Sequence, residues 1–307
     1  GPRRSRPAAV SQGAHADTLR CALAAAARGD PMLATAPPAR TFLAVEMPGP
    51  WATNAIRDSR SSAPPLVSIA RRVASAGGRM VVIRRPDRRR TSDRRWFWAD
   101  CRPGHESLRT GSIRGDDALL GLSLDGSDGE ADDQPVWLAC THGRHDRCCA
   151  REGRVVFHDL DALVPGQVWE SSHLGGCRFA GNVVELPSGL YYGRVSTADV
   201  PALVAAQTRG EVVRERLRGR SALPAPAQAA TQLVAERLDV SPIDVLVVAE
   251  PAARGGGRWH VDLRVGTEQL TAVVRLVGLG ERVALTCGAQ HGDRPPAWSL
   301  DDLQLAD

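Results

Sequence analysis

The chain has 307 residues and 43% hydrophobic content, enough for two or three globular domains and a sizeable core. It holds no apolar run approaching the ~18 residues that a membrane-spanning helix needs. Net charge is a mild +4, every basic residue is arginine, and this balance gives no reason to expect nucleic acid as a partner.

Residues 1–18 are expected to be disordered, and the weak apolar run at 22–27 argues against a signal peptide. A helix is predicted from Asp17 to Ala27, then a β-type run from Thr41 to Glu46 stopped by Pro48 and Pro50. The stretch PPLVSIARRVASAGG predicts a helix ended by Gly77 and Gly78, followed by a strand from Met80 to Arg84 and another in RRWFWADC. Between these strands, RRPDRRRTSDRR (84–95) reads as a solvated loop rather than a docking patch for an acidic partner. Trp51, Trp96, Trp98, Trp137 and Trp169 fall in strand-like runs and are assigned to the core. These elements make an N-terminal α/β domain over 19–122, followed by an acidic, Gly/Ser-rich linker at 123–134.

A second α/β pattern occupies 135–215. PVWLAC predicts a strand ending at Cys140, AREGRVVFHDLDALV a helix, QVWESSH a strand, and NVVELPSGLYYGRV a hairpin turning at Pro187-Ser188-Gly189. A helix capped by Thr197 and stopped by Gly210 closes it. Residues 216–307 begin with an arginine-rich connection over 216–226 and continue with a helix from Pro226 to Leu238. The runs DVLVVAE, GRWHVDLRV, LTAVVRLV and RVALTCGAQ then predict an antiparallel β-meander on that helix.

Two short stretches concentrate the chemistry. CTHGRHDRCC (140–149) and SSHLGGCRFAGN (171–182) hold four of the seven cysteines and three of the eight histidines. Thiolate and imidazole suit zinc or an iron–sulfur cluster, and clustered cysteines in a chain without a signal peptide read as metal or redox sites of the cytoplasm. Gly175 and Gly176 let backbone pass close to a bound group. Arg144, Arg147 and Arg178 are placed to offset thiolate charge. Cys21, Cys101 and Cys287 look isolated, and Cys148 is either a similar buried thiol or an alternative to Cys149 as a ligand. His105, His158, His260 and His291 read as ordinary surface or core residues.

The run VWLACTHGRHDRCC…WESSHLGGCRFAGNVVELPSGLYYGRV resembles the sucrase/ferredoxin-like family, a group of thioredoxin-like [2Fe–2S] proteins. CALAAAARGDPMLATA, VEMPGPW, VVIRRP and LRGRSALPAPAQAA extend the resemblance over roughly residues 20–230. It implies a thioredoxin-like ferredoxin domain, preceded by an α/β domain that could itself be thioredoxin-like and followed by the helix and meander. It also implies a cluster held by two cysteines from C-S/T-H-G-x-R-D-x-x-C and two histidines from H-x-G-G-H. These map onto Cys140, Cys149 and His173, while Cys177 stands where the family has histidine. His145 stands where it has arginine; neither His142 nor His145 maps to a ligand, and His142 is expected to shape the loop or to hydrogen-bond a sulfur. The expectation is a non-catalytic electron carrier with one [2Fe–2S] cluster on three cysteines and one histidine. Single electrons would pass between a ferredoxin-type reductase and an unknown acceptor, with a proton coupled at His173. The alternatives are an iron–sulfur redox sensor, a zinc-binding protein, or an oxidoreductase using Cys148 or Cys149 as a reactive thiol. Nothing in the sequence supports a sucrase.

Overall fold

The computed structural model describes residues 20–47, 49–58, 63–85, 87, 92–278 and 280–306. The expected disordered segment 1–18, and most of the loop within 84–95, lie outside the described residues. In chain order the elements are α1 (Cys21–Ala27), β1 (Thr41–Glu46), α2 (Ala63–Ser75), β2 (Arg79–Arg84), β3 (Asp93–Asp100), β4 (Ser107–Arg114), β5 (Glu130–Ala131), β6 (Val136–Cys140), α3 (Arg147–Leu163), β7 (Val168–Ser171), β8 (Val183–Leu186) and β9 (Leu190–Tyr192). They continue with α4 (Val200–Thr208), β10 (Leu217–Arg220), α5 (Ala225–Leu238), β11 (Val245–Val247), β12 (Ala252–Gly255), β13 (Arg258–Val265), β14 (Glu268–Gly278) and β15 (Pro296–Leu305).

One ten-stranded mixed sheet runs through both halves of the chain, in the order β10-β9-β8-β6-β7-β2-β1-β3-β4-β5. Each half repeats one topology. In the first, β1 and β2 are parallel and joined through α2, while β3 and then β4 add antiparallel beside β1. In the second, β6 and β7 are parallel and joined through α3, while β8 and then β9 add antiparallel beside β6. This βαβ-ββ order is the thioredoxin-like arrangement. The halves join where β2 meets β7 antiparallel, through the pairs Ile83–Ser171 and Arg84–Glu170. Because those pairs are the last residues of both strands, the C-terminal ends of the two parallel units meet at the centre of the sheet.

Alternation along the strands divides the core. Leu43, Val45, Trp96 and Trp98 pack with Leu66 and Ile69 of α2, and Trp137, Ala139 and Val168 pack with Phe157 and Leu160 of α3. The intervening positions Phe42, Ala44, Phe97, Leu138, Trp169 and Tyr191 form a shared core that also holds Cys140, Cys148, Cys149 and Cys177. The five tryptophans assigned to the core are all buried. α5 packs on a separate five-stranded antiparallel sheet made by β11 to β15.

Several elements depart from the sequence expectations. Residues 123–134 run along the outer edge of the large sheet, with β5 paired to β4 and the backbone at Gly126 and Gly129 packed on Trp98 and Trp96. The connection 216–226 contributes β10 beside β9. Thr197 is not the cap of α4: Asp199 precedes that helix, and Ser196, whose hydroxyl and amide both engage the Asp199 carboxylate, caps the 3-10 turn Thr197–Asp199 that leads into it. RVALTCGAQ is not a strand: one isolated bridge, Val283–Asp293, holds that loop, and the last strand is β15.

The seam between the halves is pinned by a buried ion pair. Arg84 Nε donates to Glu170 Oε2 at 2.7 Å, and Thr141 Oγ1 donates to the same oxygen at 2.7 Å. Removing one partner leaves the other charge buried and uncompensated. Arg84→Ala should therefore cost ~3–5 kcal/mol in equilibrium urea unfolding. A loss under about 1 kcal/mol, as for an exposed pair, would show that the seam does not rest on it.

Candidate metal centre

Cys140 ends β6, Cys149 lies in the first turn of α3, and Cys177 follows β7 on a loop that carries His173. All three cysteines are at most 1% exposed. The Cys149 thiol sits between the other two and hydrogen-bonds to both sulfurs. The fourth expected residue joins them, with His173 Nδ1 at 3.4 Å from Cys177 Sγ. The structure thus brings together Cys140, Cys149, Cys177 and His173. Cys148, the expected alternative, points into a different group of side chains and contacts Cys287 at 3.5 Å.

Local sequence explains this convergence. Asp146 caps α3 by accepting the Cys148 amide at 2.9 Å, which fixes the first turn and presents Cys149 inward. Gly153 lies against the Cys140 carbonyl so closely that a Cβ there would fall 1.9 Å from that oxygen. Glycine is what lets α3 lie directly over the end of β6. Gly175 and Gly176 have φ of 95° and 71°, a left-handed path that costs a side-chain-bearing residue energy. The buried Arg218 guanidinium holds this turn, donating to Gly175 O at 3.0 Å and Asn182 Oδ1 at 2.7 Å.

The electrostatics divide the three thiols. The hydrogen bond from Cys149 and the backbone amides of His142 and Leu174 hold the Cys140 thiol below its ordinary value. The Cys149 contact, then His145 and His173, bring Cys177 down to about 4. Cys149, pressed by the sulfurs of Cys140 and Cys177 and by burial, is pushed up. Cys140 and Cys177 are thus the two thiols whose ionisation the surroundings favour, and Cys149 the one they disfavour.

The other expected residues take varied places. His142 is buried and accepts the His173 amide at Nδ1 (3.3 Å), so Nε2 carries the proton and donates to Ala52 O at 2.7 Å. Burial lowers its pKa to about 4, leaving it neutral and structural. Arg144 and Arg147 are exposed, whereas Arg178 is buried and faces Asp30 at 3.8 Å. His145, absent from the expected donor set, lies tilted against His173 at 3.7 Å between ring centroids and hydrogen-bonds Cys177, which raises its pKa. Both rings line a pocket of about 340 Å³ with Thr53, Asn54 and Met80. The second group comprises Cys21, Asp146, Cys148 and Cys287, whose ligating atoms all lie within 4.8 Å of one another. In sequence Cys21 and Cys287 stand isolated; the one hint of their grouping is the Cys148-Cys149 pair, which a helix directs to two sides.

The thiol pair of C-T-H-G-R-H-D-R-C-C and the His173/Cys177 turn lie within a match to the sucrase/ferredoxin-like family model over residues 32–219. The chain belongs to the sucrase/ferredoxin-like family. Among solved structures, the wild-type thioredoxin-like [2Fe–2S] ferredoxin from Aquifex aeolicus is 21% identical, with 28% of this chain and 97% of that chain covered and a TM-score of 0.25. Another structure of a thioredoxin-like [2Fe–2S] ferredoxin from the same organism is 22% identical, covering 28% of this chain and 91% of that one, again with a TM-score of 0.25. No curated protein matches the chain. Among the described residues, no helix is long and apolar enough to cross a membrane.

The donor set of this family member fits an iron–sulfur cluster: Cys149 contacts the buried sulfurs of both Cys140 and Cys177, and an imidazole adjoins Cys177. Gly153→Ala should force α3 off β6 and separate Cys149 from Cys140. Overpacking of this kind costs typically ~1–3 kcal/mol. The variant should lose most of its bound iron, measured per folded chain, with far-UV circular dichroism retained. Full iron content in folded Gly153→Ala would contradict the close-approach argument.

Proposed function

We propose that this protein is a one-electron carrier holding a single [2Fe–2S] cluster on Cys140, Cys149, Cys177 and His173. The observation that carries the reading is the convergence of three buried thiols and one imidazole at the meeting point of the two βαβ units, in a member of the sucrase/ferredoxin-like family. When bound, such a cluster supplies reversible one-electron chemistry.

The residues support this in distinct ways. Backbone amides of His142 and Leu174 aim at the Cys140 sulfur. The N-terminus of α3 lies under Cys149, where the helix dipole favours negative charge. Both features favour adding an electron at the site. Burial of the sulfurs excludes water. The half-buried His173 and exposed His145 mark the side open to a partner, and Arg79 donates to the His173 carbonyl at 2.8 Å to hold that edge. A ferredoxin-type reductase as donor and a separate acceptor protein are the partners this reading calls for. The chain acts as a carrier rather than as a catalyst.

Visible spectra of single variants test the ligand set. Cys140→Ser, Cys149→Ser and Cys177→Ser should each bleach or strongly alter the absorption of the purified protein, while Cys148→Ser should leave it unchanged. A bleached Cys148→Ser beside an unchanged Cys149→Ser would exchange the two assignments.

A further inference from the structure

The second cysteine group belongs to no part of the carrier reading. Cys21 Sγ lies 3.4 Å from both Asp146 Oδ2 and Cys287 Sγ, and Cys287 Sγ lies 3.5 Å from Cys148 Sγ. Cys21, Asp146 and Cys148 are buried and Cys287 is partly so. The residues come from α1, the N-terminus of α3 and the loop before β15, and Cys21 and Cys287 stand 266 positions apart in sequence. Local structure alone does not gather such residues.

We propose that Cys21, Cys148, Cys287 and Asp146 form a second metal site, a closed structural zinc site adjoining the cluster residues, since the Asp146 carboxylate also lies within 4.8 Å of Cys149 and Cys177. Tetrahedral zinc with Zn–S of about 2.3 Å sets its sulfurs about 3.8 Å apart, so Cys287 needs to part from Cys21 and from Cys148 by only a few tenths of an ångström, and all the ligating atoms already lie within 4.8 Å of one another. The donors are three soft sulfurs and one carboxylate oxygen, a set that suits zinc and leaves no open position for substrate.

The electrostatics call for a cation. Burial, the Asp146 carboxylate and the neighbouring thiols push the Cys21 thiol up, and burial raises Cys287. A divalent ion displaces three protons, one from each cysteine, forms three zinc–thiolate bonds and one zinc–carboxylate bond, and moves no electron. The N-terminus of α3 offsets the remaining negative charge. Asp146 is already oriented, since its two oxygens accept the amides of Cys148 and Cys287 at 2.9 Å each. A metal here clips α1 and the loop before β15 to the helix that carries Cys149. Closing such long loops is where a clip restricts the unfolded chain most.

Zinc is measured by elemental analysis on the full chain expressed in zinc-supplemented medium, beside iron and the visible spectrum. The wild type and Cys101→Ser should hold one zinc per chain. Cys21→Ser and Cys287→Ser should lose it and unfold at lower temperature, with iron content and visible spectrum unchanged. If Cys21→Ser fails to fold, Cys287→Ser decides, because its side chain is the least buried of the three. The proposal is overturned by a zinc-free wild type, by zinc that survives Cys287→Ser, by a disulfide among these cysteines in mass spectra of the acid-denatured protein, or by a bleached Cys287→Ser spectrum.

Discussion

Everything at the centre of this protein depends on a seam two residue pairs long. β2 and β7 overlap only at their C-terminal tips, through Ile83–Ser171 and Arg84–Glu170. In open α/β sheets, ligands gather beyond the C-terminal ends of parallel strands. An antiparallel join at those tips brings two such edges face to face. The loop after β1 therefore reaches across, and the Ala52 and Thr53 carbonyls meet His142 and His145. The buried Arg84–Glu170 pair sits on this seam, and Thr141, the residue after Cys140, donates to the same carboxylate. The sheet join and the thiol site thus share residues.

Gathering thiolates in a core is costly unless charge is offset nearby. The protein meets that cost with fixed groups. Backbone amides aim at Cys140, a helix N-terminus lies under Cys148 and Cys149, and Arg178 and Arg218 are buried close by. Burial brings the Arg218 guanidinium down to about 10, yet it stays charged at neutral pH, held by Gly175, Asn182 and Thr35. The arginines that matter are those the fold buries. Arg144 and Arg147, near the cysteines in sequence, are exposed.

Strands β1, β6, β7, β8 and β9 were legible because their apolar runs are short, dense and bounded by proline or glycine. The four residues at the candidate cluster site were legible through two compact motifs. β4 was not, since SLRTGSIR is polar and owes its place to a glycine under the Trp96 ring. β10 was hidden in an arginine-rich run whose Arg218 is buried by long-range partners. RVALTCGAQ carried a strand-like pattern, but Asp146 captures the Cys287 amide and draws the loop away from the meander. The repeat of one βαβ-ββ topology left no periodic trace in sequence, because the halves share strand order and not side chains. The Cys21–Cys148–Cys287 group was invisible for a related reason: only the folded chain brings its three segments together.

The central claim is that the buried thiols and His173 hold a two-iron cluster that takes one electron. Electron paramagnetic resonance of the dithionite-reduced protein, combined with iron and acid-labile sulfide analysis, tests it most directly. The account predicts two irons and two sulfides per chain, and a reduced signal of one unpaired electron absent from the oxidised protein. A colourless protein without sulfide, carrying zinc at Cys140, Cys149 and Cys177, would contradict it.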